Sequence, residues 1–268
     1  MCVDDFGLHE GINAAALTLI GVKRVHAVSA QVGGPAWRAG AARLRQLDPR
    51  AVDVGLHLDL TEYPLRPGLR LSLKAAIARA YARRLPAALL AGEIWAQLDA
   101  FEEAMARAPA YVDGHQHVHQ LPVVRSLLMD ALRYRYPGQL PWLRNTRGPR
   151  MAAHVDRRTA VKAWTIAALG ARALAAMARR HGARQNARLL GVYDFDGDAD
   201  GYARRLARWL RNAETGDLLM CHAGWFSDRA DALAAARQNE LAVIGSQTFA
   251  DLLASENIRL RPMRQILA

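Results

Sequence analysis

The chain has 268 residues, of which 51% are apolar, and its formal net charge is +11. This length suits one large α/β domain, which we predict for residues 1–268 because no Pro/Gly/Ser-rich linker divides them. Cys2 and Cys221 are the only cysteines. We therefore expect no disulfide framework or cysteine-zinc site, and a reducing, cytoplasmic location. The longest apolar stretch, 164–178, is interrupted by Arg172 and is too short for a membrane span.

The positive charge comes almost entirely from arginine, since the chain has only three lysines. The arginines alternate with alanine over several predicted helices, which indicates a general compositional bias and predicts no nucleic-acid partner. The densest basic region, 133–150, also contains tyrosines and a tryptophan that could accompany phosphate binding. A non-catalytic, arginine-rich nucleic-acid-binding protein therefore stays an alternative, and a steep salt dependence of binding would support it.

Apolar runs typical of strands alternate with helical patterns along the whole chain. After a short first strand ending at Asp4, the predicted strands cover about 24–30, 52–60, 110–115, 140–144, 188–192, 217–221 and 257–260. The clearest predicted helices cover about 9–22, 36–47, 86–108, 122–135, 155–181, 201–213 and 228–240. This alternation predicts a parallel sheet with helices outside it, either closed as a barrel or open. Because only three residues precede Asp4, we expect the first strand to be weakened.

Three of these strands end in polar residues that are capable of chemistry. The first segment is Val3-Asp4-Asp5-Phe6-Gly7, the second is an apolar strand that carries His57, and the third delivers His222 to a glycine turn. In parallel α/β folds, residues at the carboxyl ends of strands build the functional site. We therefore expect these segments to converge.

Three histidines, His115, His117 and His119, follow a short apolar strand at alternate positions. In an extended strand such residues point to the same face, so the spacing predicts three imidazoles directed into one space. Imidazole is the commonest protein ligand for transition metals, and the pattern therefore predicts a metal site. The alternative is a polar strand end whose histidines are satisfied by backbone or water.

The segment 194–201 imitates the first half of a calcium-binding loop. Counted from Asp196, aspartates occupy positions one, three and five, and Gly201 is the sixth residue. The twelfth position is Ala207, where a calcium loop needs a bidentate glutamate. We therefore interpret the segment as an acidic turn that caps the following helix.

Taken together, four motifs resemble the YdjC/ChbG (ChbG/HpnK) carbohydrate deacetylase family. They are Asp-Asp-Phe-Gly near the start, Gly-Leu-His-Leu, Asp-Gly-His-Gln-His-Val-His before Leu-Pro, and Cys-His-Ala-Gly late in the chain. The resemblance implies an irregular, TIM-like (β/α) barrel related to the NodB-type polysaccharide deacetylases. It also implies a hydrolase that removes N-acetyl groups from sugars such as chitooligosaccharides with a divalent metal, Mg²⁺ or Zn²⁺. The hopanoid-biosynthesis branch shares these motifs, so the glycan or glycolipid substrate stays open.

Carried over residue by residue, the resemblance implies a metal site formed by Asp5, His57 and His115. It implies Asp4 as the general base and His222 as the acid or the group that polarises the substrate. His117 and His119 match further family positions and are expected at the substrate pocket. Two departures are the short N-terminal segment and the late His-Ala-Gly, where relatives often have His-Pro.

Three further residues are candidates for contact with substrate. Trp225 and Phe226 follow His222 and could pack against sugar rings, although they could equally be core aromatics. Arg144 stands at a strand end, where it could contact substrate or hold the catalytic aspartate. The alternative function is another metallohydrolase of this barrel type, an amidohydrolase or a phosphodiesterase. The expected partners are an acetylated carbohydrate and, as an open question, a second copy of the chain in a homodimer.

Overall fold

The computed structural model describes residues 1–149, 156–225 and 231–268. Its strands are β1 (Cys2–Phe6), β2 (Ala27–Ala30), β3 (Asp53–Leu58), β4 (Tyr111–Gly114), β5 (Trp142–Leu143), β6 (Leu189–Leu190) and β7 (Leu218–Cys221). Its α-helices are α1 (Glu10–Gly21), α2 (Trp37–Leu44), α3 (Leu73–Tyr81), α4 (Ala87–Met105), α5 (Val124–Arg135), α6 (Arg157–Ala168), α7 (Ala171–Arg180), α8 (Ala199–Arg211), α9 (Ala234–Gly245), α10 (Gln247–Ser255) and α11 (Met263–Ile266).

The seven strands form one parallel sheet in the order β5-β4-β3-β2-β1-β7-β6. The sheet is curled into a half-barrel flanked by helices. The βα alternation predicted the parallel sheet with helices outside it, and the family resemblance implied the barrel. Its two edge regions meet, because Leu143 of β5 forms a parallel bridge with Gln185, shortly before β6. The Leu189 amide of β6 also donates to the Arg147 carbonyl, at 2.7 Å. The curling brings the carboxyl ends of the strands around a common centre.

Every residue of the seven strands is buried, as expected where helices cover a parallel sheet. Strand β1 pairs with both β2 and β7 and lies inside the sheet, although few residues precede it. On α4, Ile94, Leu98 and Phe101 recur at helical spacing and are fully buried. Apolar side chains thus account for the packing, and the strand ends carry the polar residues.

Two predictions about secondary structure are wrong. The structure contains no strand at 257–260, where helix α10 has ended and the chain continues without regular structure. The helix predicted over 155–181 is two helices, α6 and α7, separated at Gly170. Gly170 has φ +150°, and a Cβ there would lie 2.2 Å from the Gln120 carbonyl oxygen, so the chain must break its helix to pass this contact.

Residues 228–230 of the helix predicted over 228–240 lie outside the described part of the chain, whereas 231–233 are not helical and α9 begins at Ala234. The acidic turn before α8 has the capping role that we predicted. Oδ1 of Asp198 accepts a hydrogen bond from the Gly201 amide at 2.8 Å. Among the described residues, no single helix is long and apolar enough to cross a membrane; α6 and α7, bent by 44°, meet that test only as a pair.

Candidate active site

A break in the regular pairing of β1 lets both adjacent aspartates reach the same region. The register of β1 against β2 shifts between Val3 and Phe6, and Asp5 has φ +65°. In a regular strand the two carboxylates would point to opposite faces. Here Asp5 Oδ1 lies 3.4 Å from His57 Nε2 and 3.0 Å from His115 Nδ1. Asp4 instead faces Arg144. The irregularity therefore gives the two adjacent aspartates different partners, histidines for Asp5 and arginine for Asp4.

Strands β3 and β4 place His57 directly beside Asp113 in the pairing register. His57 Nδ1 lies 2.7 Å from Asp113 Oδ1, and both side chains are buried. Because an ionised carboxylate only accepts hydrogen bonds, Nδ1 carries a proton that it donates to Asp113, while Nε2 faces Asp5. Burial lowers the pKa of His57, but the Asp113 and Asp5 carboxylates outweigh it and raise the pKa to about 10.

The three alternating histidines do not lie on one strand, so that part of the prediction is wrong. Strand β4 ends at Gly114, and 115–120 is a short 3₁₀ segment in which Gln116 and His117 have positive φ. The three rings therefore separate. His115 turns toward Asp5, and its Nε2 lies 3.5 Å from Glu62 Oε2.

Among the described residues, Asp5, His57 and His115 form a group whose ligand atoms all lie within 4.8 Å of one another. One carboxylate and two imidazoles form a donor set that binds zinc and other divalent ions. His57 and His115 each also have a carboxylate close to the ring nitrogen that faces away from Asp5. The residues therefore fit a divalent metal, and the three predicted ligands are brought together.

A second group, Asp4, His57 and Asp113, has the same compactness, but arginine already supplies its positive charge. Arg144 binds Asp4 through two hydrogen bonds of 2.5 and 2.7 Å and reaches Asp113 at 2.6 Å. Ser29 Oγ also donates to Asp113 at 2.7 Å. Burial raises the pKa of Asp4, but Arg144 outweighs it and holds the pKa well below its usual range. Arg144 is itself fully buried and holds the aspartates, the second of its two predicted roles.

His222 follows β7 and faces the acidic cluster from the other side of the site. Its backbone amide donates to Glu240 Oε2 at 2.5 Å, and Glu240 accepts a hydrogen bond from the Tyr193 hydroxyl at 2.6 Å. The ring atom Nδ1 of His222 is buried and has no hydrogen-bond partner among the described residues. Burial lowers the pKa of His222 to about 4. A neutral imidazole thus lines the cavity, with Nδ1 unpaired among the described residues.

Arg237 of α9 completes the surroundings of Asp5. It donates to Asp5 Oδ2 at 2.8 Å and to Asp231 Oδ2 at 2.8 Å. This leaves Oδ1 as the Asp5 oxygen that faces the two histidines. Burial raises the pKa of Asp5, but Arg237 and His115 outweigh it and hold the pKa well below its usual range.

The cluster opens into a cavity of about 730 Å³, large enough for a small ligand. Its polar floor includes Asp4, Asp5, His57, His115, His117 and His222. Its walls are mainly apolar and include Leu8, Leu73, Ile77, Leu121, Ile166, Leu169, Val192, Tyr193, Phe195 and Leu233. The cavity thus has aspartates and histidines on one surface, and apolar walls that can contact the apolar faces of a ligand.

The four predicted substrate contacts are placed differently. His117 lines the cavity, and burial lowers its pKa to about 3. His119 is fully buried outside the lining and donates from Nε2 to the Arg144 carbonyl at 2.9 Å. Trp225 is exposed and lies outside the described lining, whereas Phe226 falls outside the described residues. Arg144, as described above, lies behind the aspartates.

Sequence reasoning did not identify Asp113, Glu62, Arg237 or Glu240 as site residues. Asp113 did carry a signal, because it stands two positions before His115 at the end of a predicted strand. Glu62 similarly follows the strand of His57. Arg237 and Glu240 lie on a helix whose position against the sheet no local pattern reveals.

Comparison with known proteins identifies the family of the chain. The profile of the YdjC-like protein family matches residues 1–255. The chain is 29% identical to a carbohydrate deacetylase of Mus musculus, with 96% of this chain and 91% of the mouse protein aligned. It is 31% identical to a chitooligosaccharide deacetylase of Enterobacter sp. (strain 638) over 47% of this chain and 51% of that protein.

A solved structure from Enterococcus faecalis V583, a candidate cellobiose-phosphate cleavage protein, has the same fold. The TM-score is 0.68 at 18% identity, and the match covers 100% of this chain and 97% of the other. Fold and site together define an α/β half-barrel protein with an aspartate–histidine cluster at the strand ends. The chain belongs to the YdjC-like protein family, which confirms the resemblance inferred from its motifs.

Proposed function

We propose that this protein is a metal-dependent hydrolase that removes the N-acetyl group from an acetylated sugar. The observation that carries the proposal is the position of Asp5 Oδ1, close to both His57 Nε2 and His115 Nδ1 at the floor of the cavity. The names of the mouse and Enterobacter relatives support the same activity. The substrate class is a chitooligosaccharide-like glycan or another N-acetylated glycan or glycolipid.

Asp5, His57 and His115 would hold the metal, and the donor set accommodates Zn²⁺ as well as Mg²⁺ with additional waters. When bound, a divalent ion supplies a Lewis acid for the acetyl carbonyl and lowers the pKa of water. The chain supplies the orientation of its ligands. Asp113 holds the His57 ring, and Arg237 holds the far oxygen of Asp5.

Asp4 is proposed as the general base. The two hydrogen bonds from Arg144 keep its carboxylate ionised and fix its orientation, both of which proton transfer requires. The low pKa of Asp4 makes it a weak base, but it is deprotonated at every physiological pH. A positioned base or acid typically contributes a factor of about 10² to 10⁴ in rate.

His222 is proposed to deliver the proton to the leaving amine. Its Nδ1 is free of partners among the described residues, and its backbone is anchored through Glu240. Since burial keeps the ring neutral at pH 7, the proton that the attacking water loses to Asp4 would pass through His222 to the leaving amine, which leaves both groups as they began. The carboxylates of Asp4 and Asp5 favour that charged state of the ring.

The cavity walls are proposed to bind the sugar. Tyr193 and Phe195 stand near His222, and the Phe195 ring lies 4.9 Å from the His222 ring, centroid to centroid. Aromatic faces of this kind pack against the apolar faces of sugar rings. His117 offers a neutral polar group in the same lining. We also propose a cytoplasmic location, in agreement with the two free, buried cysteines.

Acetate release from N-acetylglucosamine oligomers and acetylated glycolipids tests this function. The metal-loaded protein should release acetate, whereas His57→Ala and His115→Ala should retain neither metal nor activity. His181→Ala, at the end of α7, is the matched control and should behave as wild type. Phosphoester hydrolysis without amide hydrolysis would instead favour the phosphodiesterase alternative, and full activity in both variants would reject the metal site.

A further inference from the structure

The outer face of α6 and α7 combines exposed apolar side chains with arginines. On α6, positions 157, 161, 164 and 168 lie on one helical stripe and are all exposed. Val161 is 51% exposed and Trp164 is 71% exposed. Because Val161 and Trp164 are three residues apart on the helix, their side chains are neighbours and form one exposed apolar patch.

The continuation onto α7 adds positive charge. Arg172, Ala176 and Arg179 form the matching exposed stripe, and Arg180 lies beside it. Arg157, Arg172, Arg179 and Arg180 make no ion pair with any other described residue. Residues 156–180 contain six basic residues and one acidic residue, Asp156, whose carboxylate caps α6. This segment therefore has a much higher positive charge density than the chain as a whole.

The inner face of α6 and the turn that follows it line the cavity, and the inner face of α7 is packed against the protein. Lys162, Ile166 and Leu169 border the cavity, while Ala160, Ala163 and Leu174 are buried against the protein. The Gln120 side chain, at the end of the segment that carries His115, donates to the Ile166 carbonyl at 2.8 Å. The outer face of α6 is thus connected to the site through the inner face of the same helix. Helices α6 and α7 lie along the protein surface, with their inner faces packed and their outer faces exposed.

We infer that this outer face docks the protein on an anionic lipid bilayer, with Trp164 and Val161 inserted among the headgroups and the flanking arginines on lipid phosphates. Tryptophan is enriched at membrane interfaces because its ring is apolar and its N–H is polar. Basic residues near an anionic surface each contribute about a fivefold gain in binding. An amphipathic helix pair with arginines around an apolar centre lies in the plane of the membrane.

Charge complementarity favours lipid over a second copy of the chain as the occupant. Two copies meeting through this face would bring the same arginines together without acidic partners, which is unfavourable. A bilayer that contains phosphatidylglycerol instead offers a negative charge at every point of contact. The cavity mouth, which α6 borders, would then lie next to the membrane surface.

Sedimentation with vesicles tests the inference without reference to catalysis. The wild-type protein should bind vesicles of phosphatidylcholine and phosphatidylglycerol in equal parts and should be released by high salt. Trp164→Ser should lower the partition coefficient about tenfold or more. Arg172→Gln combined with Arg179→Gln should lower it about twentyfold or more.

Two matched controls separate this face from general surface properties. Tyr134→Ser removes an aromatic side chain that is 80% exposed at the end of α5, and Arg43→Gln with Arg45→Gln removes two exposed arginines near the end of α2. Both should bind as wild type. Equal losses in the controls, equal binding to phosphatidylcholine alone, or no binding by wild type would overturn the inference. A change of oligomeric state in Trp164→Ser would overturn it in favour of a dimer interface. None of these outcomes bears on the deacetylase proposal, since vesicle binding requires neither metal nor acetate release.

Discussion

The side chains of His57 and Asp113 form a buried pair, with His57 Nδ1 2.7 Å from Asp113 Oδ1 on adjacent strands in direct register. Asp113→Asn keeps the size of the side chain but removes its negative charge. The hydrogen bond to the His57 ring becomes weaker, and His57 Nε2 becomes a less basic metal ligand. We expect metal affinity to fall about 10- to 100-fold. Competition with a chromophoric chelator measures it. Asp130→Asn, on the exposed face of α5, should not change the affinity; unchanged affinity in Asp113→Asn would show that the pair does not orient a ligand.

Arg144 is the cation that balances two buried aspartates, Asp4 and Asp113. Arg144→Met leaves both carboxylates without their partner, and we expect the free energy of unfolding to fall by about 3–5 kcal/mol. Urea titration monitored by circular dichroism measures the change. Arg211→Met breaks an exposed ion pair with Glu256 and should cost about 1 kcal/mol or less. Similar losses in the two variants would contradict the structural role of Arg144.

Glu240 predicts a pH dependence of stability. Burial raises the pKa of Glu240 from 4.5 to about 7, so the native state keeps a proton that the unfolded chain releases near pH 4.5. The native state binds more protons in this interval, and stability therefore falls as pH rises from 4.5 to 7. The contribution lost is about 3 kcal/mol.

Glu240→Gln removes this titration and keeps groups that can pair with the His222 amide and the Tyr193 hydroxyl. We therefore expect the stability difference between Glu240→Gln and wild type to move in favour of the variant between pH 5 and pH 7. Urea titrations at both values measure it, and the other titratable groups are common to the two proteins. A difference that does not change with pH would mean that Glu240 is ionised in the folded protein throughout.

Gly170 predicts a local requirement for glycine between α6 and α7. Its φ of +150° and the nearby Gln120 carbonyl leave no room for a Cβ. We expect Gly170→Ala to cost about 1–3 kcal/mol or more of stability. Gly21→Ala, where a Cβ would have no neighbour within 4 Å, should be neutral or stabilising. Thermal unfolding of the two variants provides the comparison.

The parallel sheet and most helices could be predicted because local patterns determine them. Apolar runs of strand length and helical periodicity depend only on residues close together in the sequence. These patterns located all seven strands, including the short first strand that was predicted to end at Asp4. The false strand at 257–260 arose because a short apolar run has the same composition whether or not a partner strand is available. The break at Gly170 depends on Gln120, fifty residues away, and no local pattern contains it.

The metal ligands illustrate the same limit within the site. The alternation of His115, His117 and His119 predicted a shared face, but the chain leaves β4 at Gly114 and turns with positive φ. The family resemblance implied that His115 lies near Asp5 and His57, and the turn after β4 brings it there. The sequence could place Arg144 at a strand end. Its role became clear only from the structure, in which it binds the buried carboxylates of Asp4 and Asp113.

By itself, the sequence determined the types of chemistry available, namely paired carboxylates, several imidazoles and the strand ends that carry them, because these follow from residue identity and short-range periodicity. Only the tertiary structure decided which groups meet. The bulge at Asp5, the register that sets His57 beside Asp113, and the arrival of Arg237 and Glu240 from α9 all depend on contacts between distant segments. Such contacts form when the sheet curls and its helices pack, and their energies are shared among residues that no short stretch of sequence contains.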